Sequence, residues 1–220
     1  MREEKICLII TGGSFDLSFA QDFLKNKQYG GVIAVDAGLE KAAALGLSPD
    51  EVVGDLDTVD PCLLNLYRDR PEVEFEIHRP EKDETDTELA FLTAERKGFR
   101  HVHVLGALGG RMDHALGNVQ LLYQFFKRGI QAEIYDDKNR IYLTGPGEQE
   151  FLKSQIYGKY ISFLPLTEQV DGITLTGFKY PLHNKTIHMG TSLCISNELT
   201  GERGTLAFCR GCLICIESHD

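Results

Sequence analysis

Basic residues are the minority in this chain: 23 Lys and Arg stand against 33 Asp and Glu, a formal net charge of −10. That balance excludes a sequence-independent grip on nucleic acid or on an anionic membrane, since both need a broad positive surface. Long hydrophobic runs are missing too. The first apolar stretch, residues 6–10, is too short for a signal-peptide core and far too short to span a bilayer. Neither G-x-x-x-x-G-K-[ST] nor G-x-G-x-x-G occurs, which excludes a P-loop and a dinucleotide fingerprint. Repeats, low-complexity tracts and long linkers are absent as well. The expectation is a cytoplasmic protein whose six cysteines are reduced thiols.

What is there reads as an ordinary soluble globular protein, 42% hydrophobic and 25% charged over 220 residues. Up to about residue 144 the chain alternates strand-like runs (6–10, 32–35, 51–53, 73–77, 101–105, 132–135) with helix-like segments (18–27, 39–45, 84–97, 114–128, and a short one after Pro61). Thr85-x-x-Glu88 forms a capping box at the start of the 84–97 helix, and Gly98 supplies its stop. Such alternation predicts an α/β domain, a mostly parallel sheet with helices on both faces, over residues 1–146. Beyond Gly145-Pro146-Gly147 helical periodicity ends. Short runs at 160–164, 173–176, 185–189, 193–196, 205–209 and 212–217 predict an all-β, sandwich-like domain over 147–220.

Three constellations could carry chemistry. Gly54-Asp55-Leu56-Asp57 follows the third predicted strand, and carboxylates at i and i+2 of an extended segment face the same side. Asp83 and Asp86, in Lys82-Asp83-Glu84-Thr85-Asp86, lie on one face at a helix start. Acidic residues in a first turn also offset the helix dipole, by ~0.3–1 kcal/mol each, and need no ligand for that. Neighbouring strands, however, would bring all four carboxylates to one end of the sheet. There they repel one another unless a hard divalent cation such as Mg²⁺ neutralises them. The third constellation, Gly109-Gly110-Arg111-Met112-Asp113-His114, lies between a strand and a helix. Glycines let backbone amides approach a phosphate, Arg111 can grip phosphate oxygens in bidentate fashion, and His114 can donate a hydrogen bond or cap the helix. Cys209-Arg210-Gly211-Cys212 is read as a hairpin turn with its cysteines facing each other as buried small hydrophobes, because no set of four tetrahedral metal ligands accompanies it.

Taken as a set, Asp36-Ala37-Gly38, Gly54-Asp55-Leu56-Asp57, Asp83-Glu84-Thr85-Asp86 and Gly109-Gly110-Arg111-Met112-Asp113-His114 resemble the thiamin pyrophosphokinase family in order and spacing. Thr176-Gly177-Phe178-Lys179-Tyr180, Gly190-Thr191-Ser192 and Ser196-Asn197-Glu198 are similar to that family's thiamin-side segments. The resemblance implies transfer of diphosphate from ATP to thiamin, with Mg²⁺, in a homodimer whose active sites lie between subunits. It implies that Asp55, Asp57, Asp83 and Asp86 hold Mg²⁺ and the transferring diphosphate. Asp36, Lys82, Gly109, Gly110, Arg111, Asp113 and His114 would attend the nucleotide and its phosphates. Ser196 and Asn197 would line the thiamin site, and Tyr180 would stack on the pyrimidine from the partner chain. The chain has no tryptophan, and Tyr180 stands where some relatives carry one; filling the core or an interface is an equal alternative for it. A pterin-type pyrophosphokinase and a non-catalytic nucleotide sensor remain as alternatives.

Overall fold

A strand buried on both faces has no polar side to show, and the first strand is of that kind. In the computed structural model, which describes residues 5–79 and 81–220, β1 (Ile6–Ile10) runs Ile-Cys-Leu-Ile-Ile, and Cys7 to Ile10 are fully buried. Such continuous burial belongs to a parallel sheet covered by helices. β1 pairs in parallel with β2 (Gly31–Val35) on one side and, on the other, with a strand reached much later in the chain. The intervening chain adds β3 (Glu51–Gly54) and β4 (Glu74–Ile77) outward from β2 before it returns to β5 (His101–Leu105) and β6 (Gln131–Tyr135). Every pair within this order, β4-β3-β2-β1-β5-β6, is parallel. The order reverses between β1 and β5, and ligand crevices of open α/β sheets form at the strand ends beside such a switch.

The connecting helices are α1 (Leu17–Leu24), α2 (Gly38–Ala44), α3 (Pro61–Arg68), α4 (Asp86–Arg96) and α5 (Met112–Lys127). Their starts are defined chemically. Asp16 accepts from Phe19 N at 2.7 Å, Asp60 caps α3 ahead of Pro61, and Thr85 Oγ1 accepts from Glu88 N at 3.2 Å. Phe91 of α4 stacks on Phe125 of α5, with ring centres 4.7 Å apart, which locks the two helices together. None of the described helices is long and apolar enough to cross a membrane.

The described residues divide after Asp137 into two compact units. The second unit contains strands only: β7 (Asn139–Thr144), β8 (Gly147–Leu152), β9 (Tyr160–Pro165), β10 (Gln169–Thr176), β11 (Leu182–His188), β12 (Arg203–Phe208) and β13 (Leu213–Ser218). β13 lies between β7 and β9, and β11-β10-β12-β8 forms a second antiparallel sheet. Phe151, Phe163 and Phe178 meet edge to face between them, at 5.6 to 5.8 Å, in a core shared with Leu206 and Cys215. This is the sandwich-like architecture expected of the C-terminal part.

Several local expectations need correction. Residues 193–196 form a turn, not a strand: Leu193 and Ile195 are exposed around buried Cys194, which mimics strand alternation, but Ile195 N bonds to Ser192 O. Cys209 to Cys212 is not a hairpin. β12 and β13 belong to different sheets, so the segment crosses between them, with Cys209 exposed and Cys212 buried. β7 and β8 were not anticipated, because Arg140 and the glutamates of residues 147–150 break the apolar pattern.

One buried acid anchors the second unit. Glu217 on β13 accepts from Tyr142 Oη at 2.8 Å and Tyr157 N at 2.6 Å, and Arg140 Nη1 lies 3.4 Å away. Removing the tyrosine hydroxyl strips a buried acceptor of one partner. Tyr142→Phe is therefore expected to lower stability by about 1–3 kcal/mol, read as a reduced urea midpoint by circular dichroism. An unchanged midpoint would show that the network contributes nothing.

Candidate active site

The β1–β5 switch opens into a cleft of about 950 Å³ within the first unit. Thr11, Gly12, Gly13 and Ser14 line it after β1, and Asp36 and Ala37 after β2. Gly106, Ala107, Gly109, Gly110 and Arg111 line it after β5, and Thr85 to Thr87 at the start of α4. His114, Asn118, Leu121 and Gln124 extend the wall along α5. The β1 and β5 loops meet main chain to main chain: a Cβ on Gly13 would lie 2.1 Å from Gly106 O. Asn118 Nδ2 donates to Ala107 O at 2.8 Å and ties the β5 loop to the helix behind it.

The acidic wall is built around Asp36. Its backbone is left-handed, φ 46°, and Oδ1 accepts from Leu56 N at 3.3 Å. A side chain at Gly54, whose φ is 142°, would place a Cβ 1.8 Å from that same oxygen and force the Asp36 carboxylate to move. Burial, then the charge of Asp86, push the Asp36 carboxyl up to about 7, and Asp55 adds to the effect. Asp57 is raised as well, first by the charge of Asp55 and also by Asp86. Asp57 N donates to Asp55 Oδ1 at 3.2 Å. Lys82 Nζ lies 2.5 Å from Asp86 Oδ1 and partly offsets this charge.

These carboxylates have the donor chemistry of a hard cation site and an excess of negative charge, so they fit a divalent ion in kind. The protein does not close the coordination by itself. Among the described residues no three acidic, histidine or cysteine side chains gather into a set that could hold a metal as they stand. Asp83 is exposed, and neither it nor Asp55, Asp57 or Lys82 lines the cleft, whereas Asp36 and Asp86 do.

Arg111 is committed to Asp113 through a fork: Nε to Oδ1 at 3.1 Å and Nη2 to Oδ2 at 2.5 Å. That fork holds the Asp113 carboxyl down at about 2. Asp113 Oδ1 also accepts from His114 N at 3.0 Å. In the second unit Ser196 is exposed, with φ 55° and its N bonded to Ser162 Oγ at 2.9 Å. Asn197 is 1% exposed, and its amide is spent inside the protein: Oδ1 accepts from Tyr180 N at 3.0 Å, and Nδ2 donates to Tyr180 O at 2.9 Å. The Tyr180 side chain is 56% exposed. Sequence reasoning assigned no role to the glycine-rich loop Thr11-Gly12-Gly13-Ser14. It missed Lys41, which donates to Gly12 O at 2.9 Å and also to Gly13 O. The strand-end position of that loop was the available signal.

A family model described as the thiamin pyrophosphokinase catalytic domain matches residues 20–134, and one described as its vitamin B1 binding domain matches residues 148–213. The chain belongs to the thiamin pyrophosphokinase family. A thiamine pyrophosphokinase of Bacillus subtilis strain 168 is 40% identical over 193 residues, covering 86% of this chain and 87% of the relative. The thiamine pyrophosphokinase 1 of Oryza sativa subsp. japonica is 29% identical, covering 70% of this chain and 60% of its own length. A crystal structure of the Bacillus subtilis thiamine pyrophosphokinase superposes with a TM-score of 0.87 at 36% identity, over 98% of this chain and all of that one. The thiamin pyrophosphokinase of Geobacillus thermodenitrificans gives 0.83 at 34% identity, over 98% of each chain. Both parts of the fold, parallel and antiparallel, lie within that likeness.

Asp36 makes a pH prediction. Its carboxyl ionises near 7 in the folded protein and near ~4 in an unfolded chain. Its stabilising contribution is therefore complete below about 4 and is lost as pH rises through about 7. Without divalent cations, Asp36→Asn should gain in melting temperature relative to the parent on going from pH 5 to pH 8. A difference that does not change with pH would contradict the shift.

Proposed function

We propose a division of labour within the cleft by which this member of the family forms thiamin diphosphate from thiamin and ATP. Thiamin's primary hydroxyl attacks the β-phosphorus of ATP in line, the bond from that phosphorus to the α-bridging oxygen breaks, and AMP leaves. Such transfers depend on positioning and charge neutralisation more than on covalent help from the protein. Asp55, Asp57 and Asp86, with Asp83, are the residues that would hold Mg²⁺, which supplies neutralisation of the phosphate charge. Lys82 balances Asp86. Gly109, Gly110 and the Arg111–Asp113 fork face the nucleotide's phosphates with His114, and Asp36 shapes the acidic floor beside them. The observation that carries this reading is the crowding of Asp55 and Asp86 around Asp36 and Asp57 beside the switch-point cleft, which raises Asp36 and Asp57, because crowded like charges favour a ligand that brings positive charge.

On the thiamin side, with the binding part drawn as residues 147–220, Ser196 and Tyr180 face the ligand. Asn197 acts through Tyr180, whose main chain it grips on both sides. Tyr180 serves the cleft of a second copy in a homodimer. Exposure of Tyr180, Met189, Leu193 and Ile195 on one unit supports a face that a partner covers. The cytoplasm, where ATP and reducing conditions coexist, is the compartment this reading implies.

The test is steady-state turnover with saturating ATP and Mg²⁺. Asp57→Asn and Asp86→Asn should each abolish AMP formation while leaving the circular dichroism spectrum unchanged; wild-type rates from either would overturn the carboxylate assignment. In the same assay Tyr180→Ala should raise the KM for thiamin more than that for ATP. Equal rises would remove Tyr180 from the thiamin side.

A further inference from the structure

The loop after β1 is gripped from behind by a cation that does not itself line the cleft. Lys41, on α2, sends its ammonium to the carbonyl oxygens of both Gly12 and Gly13, and it lies 4.7 Å from the centre of the Phe15 ring. In a trans peptide the C=O of one residue and the N–H of the next point in opposite directions. The described residues contain no cis peptide. Two successive carbonyls turned toward one ammonium therefore turn the N–H groups of Gly13 and Ser14 the other way. Gly12, Gly13 and Ser14 all line the cleft, and among the described residues neither of those N–H groups donates to a protein acceptor. Adjacent amides facing one side make an anion-binding concavity, and a positive charge behind their carbonyls reinforces it. The contact of Gly13 with Gly106 sets this concavity beside the Gly109–Gly110 loop.

We infer that Lys41 is a positioning residue for the nucleotide, ordering the β1 loop so that the N–H groups of Gly13 and Ser14 bind the phosphate chain of ATP. The inference rests on the reading that the cleft takes ATP. It adds a second phosphate-binding loop, on the opposite side of the switch point from Arg111. Lys41 touches neither substrate. Its side chain acts only through the two peptides it holds, so loss of the charge should be felt by the phosphates and not by thiamin.

Calorimetric titration with ATP and Mg²⁺, and separately with thiamin, tests this without relying on turnover. Lys41→Met should weaken ATP binding about tenfold, the loss of charge-assisted hydrogen bonds that hold the loop, and leave thiamin binding unchanged. Lys41→Arg, which keeps the charge and the donors, should retain most of the ATP affinity even if the methionine variant folds poorly. Unchanged ATP affinity in Lys41→Met, or equal weakening of ATP and thiamin, would overturn the inference. Parent protein that binds thiamin but not ATP would remove the nucleotide reading of the cleft itself, and the role of Lys41 with it.

Discussion

The structure turns on a half-buried carboxylate set among other acids. Asp36 leaves β2 in a left-handed conformation, reaches across to Leu56 N, and occupies the space that any side chain at Gly54 would need. It is thereby held against Asp86 and near Asp55, in surroundings that raise its own pKa to about 7. A protein that only needed to fold would gain by removing one of these acids. Their retention at the carboxyl ends of parallel strands points to a ligand that brings positive charge. On the proposed reading, the metal that would accompany ATP and the cationic thiazolium would each supply it.

The remaining wall of the cleft has the opposite character. It is made of loops whose main chain is bare: residues 12–14 braced by Lys41, and residues 109–111 at the start of α5. The two loops of this wall meet because the strand order reverses between β1 and β5, which brings a loop from each side of that reversal into contact. On the proposed reading, substrate phosphates would meet main-chain amides and the Arg111–Asp113 fork on one side and acids on the other. That polarity suits a phosphoryl donor held in place while its charge is neutralised.

The βα alternation was legible because β1 and β2 are continuous apolar runs, the other parallel strands carry apolar residues at most positions or in alternation, and three of the helices have a capping residue at their start, Asp16, Asp60 and Thr85. The acidic motifs were legible as motifs, since their spacing does not depend on tertiary context. What was not legible arises from contacts between segments far apart in sequence. No local pattern separates Leu193-Cys194-Ile195 from a strand, because a turn that buries one side chain in three reproduces the alternation. The role of Lys41 depends on α2 passing behind a loop 28 residues earlier. Asn197 looks like a ligand-facing amide in sequence, yet both ends of its amide are taken by the main chain of Tyr180. β7 and β8 were hidden for a different reason: half-buried Arg140 beside Glu217, and exposed Glu148 and Glu150, interrupt the apolar pattern and dilute the strand signal.

The central claim is that this cleft moves a diphosphate, not a single phosphate, and moves it to thiamin. It is tested most directly by nucleotide analysis after incubation with ATP and Mg²⁺, with and without thiamin. The account predicts AMP only when thiamin is present, formed in step with thiamin diphosphate. ADP in place of AMP, or AMP released at the same rate without thiamin, would contradict it.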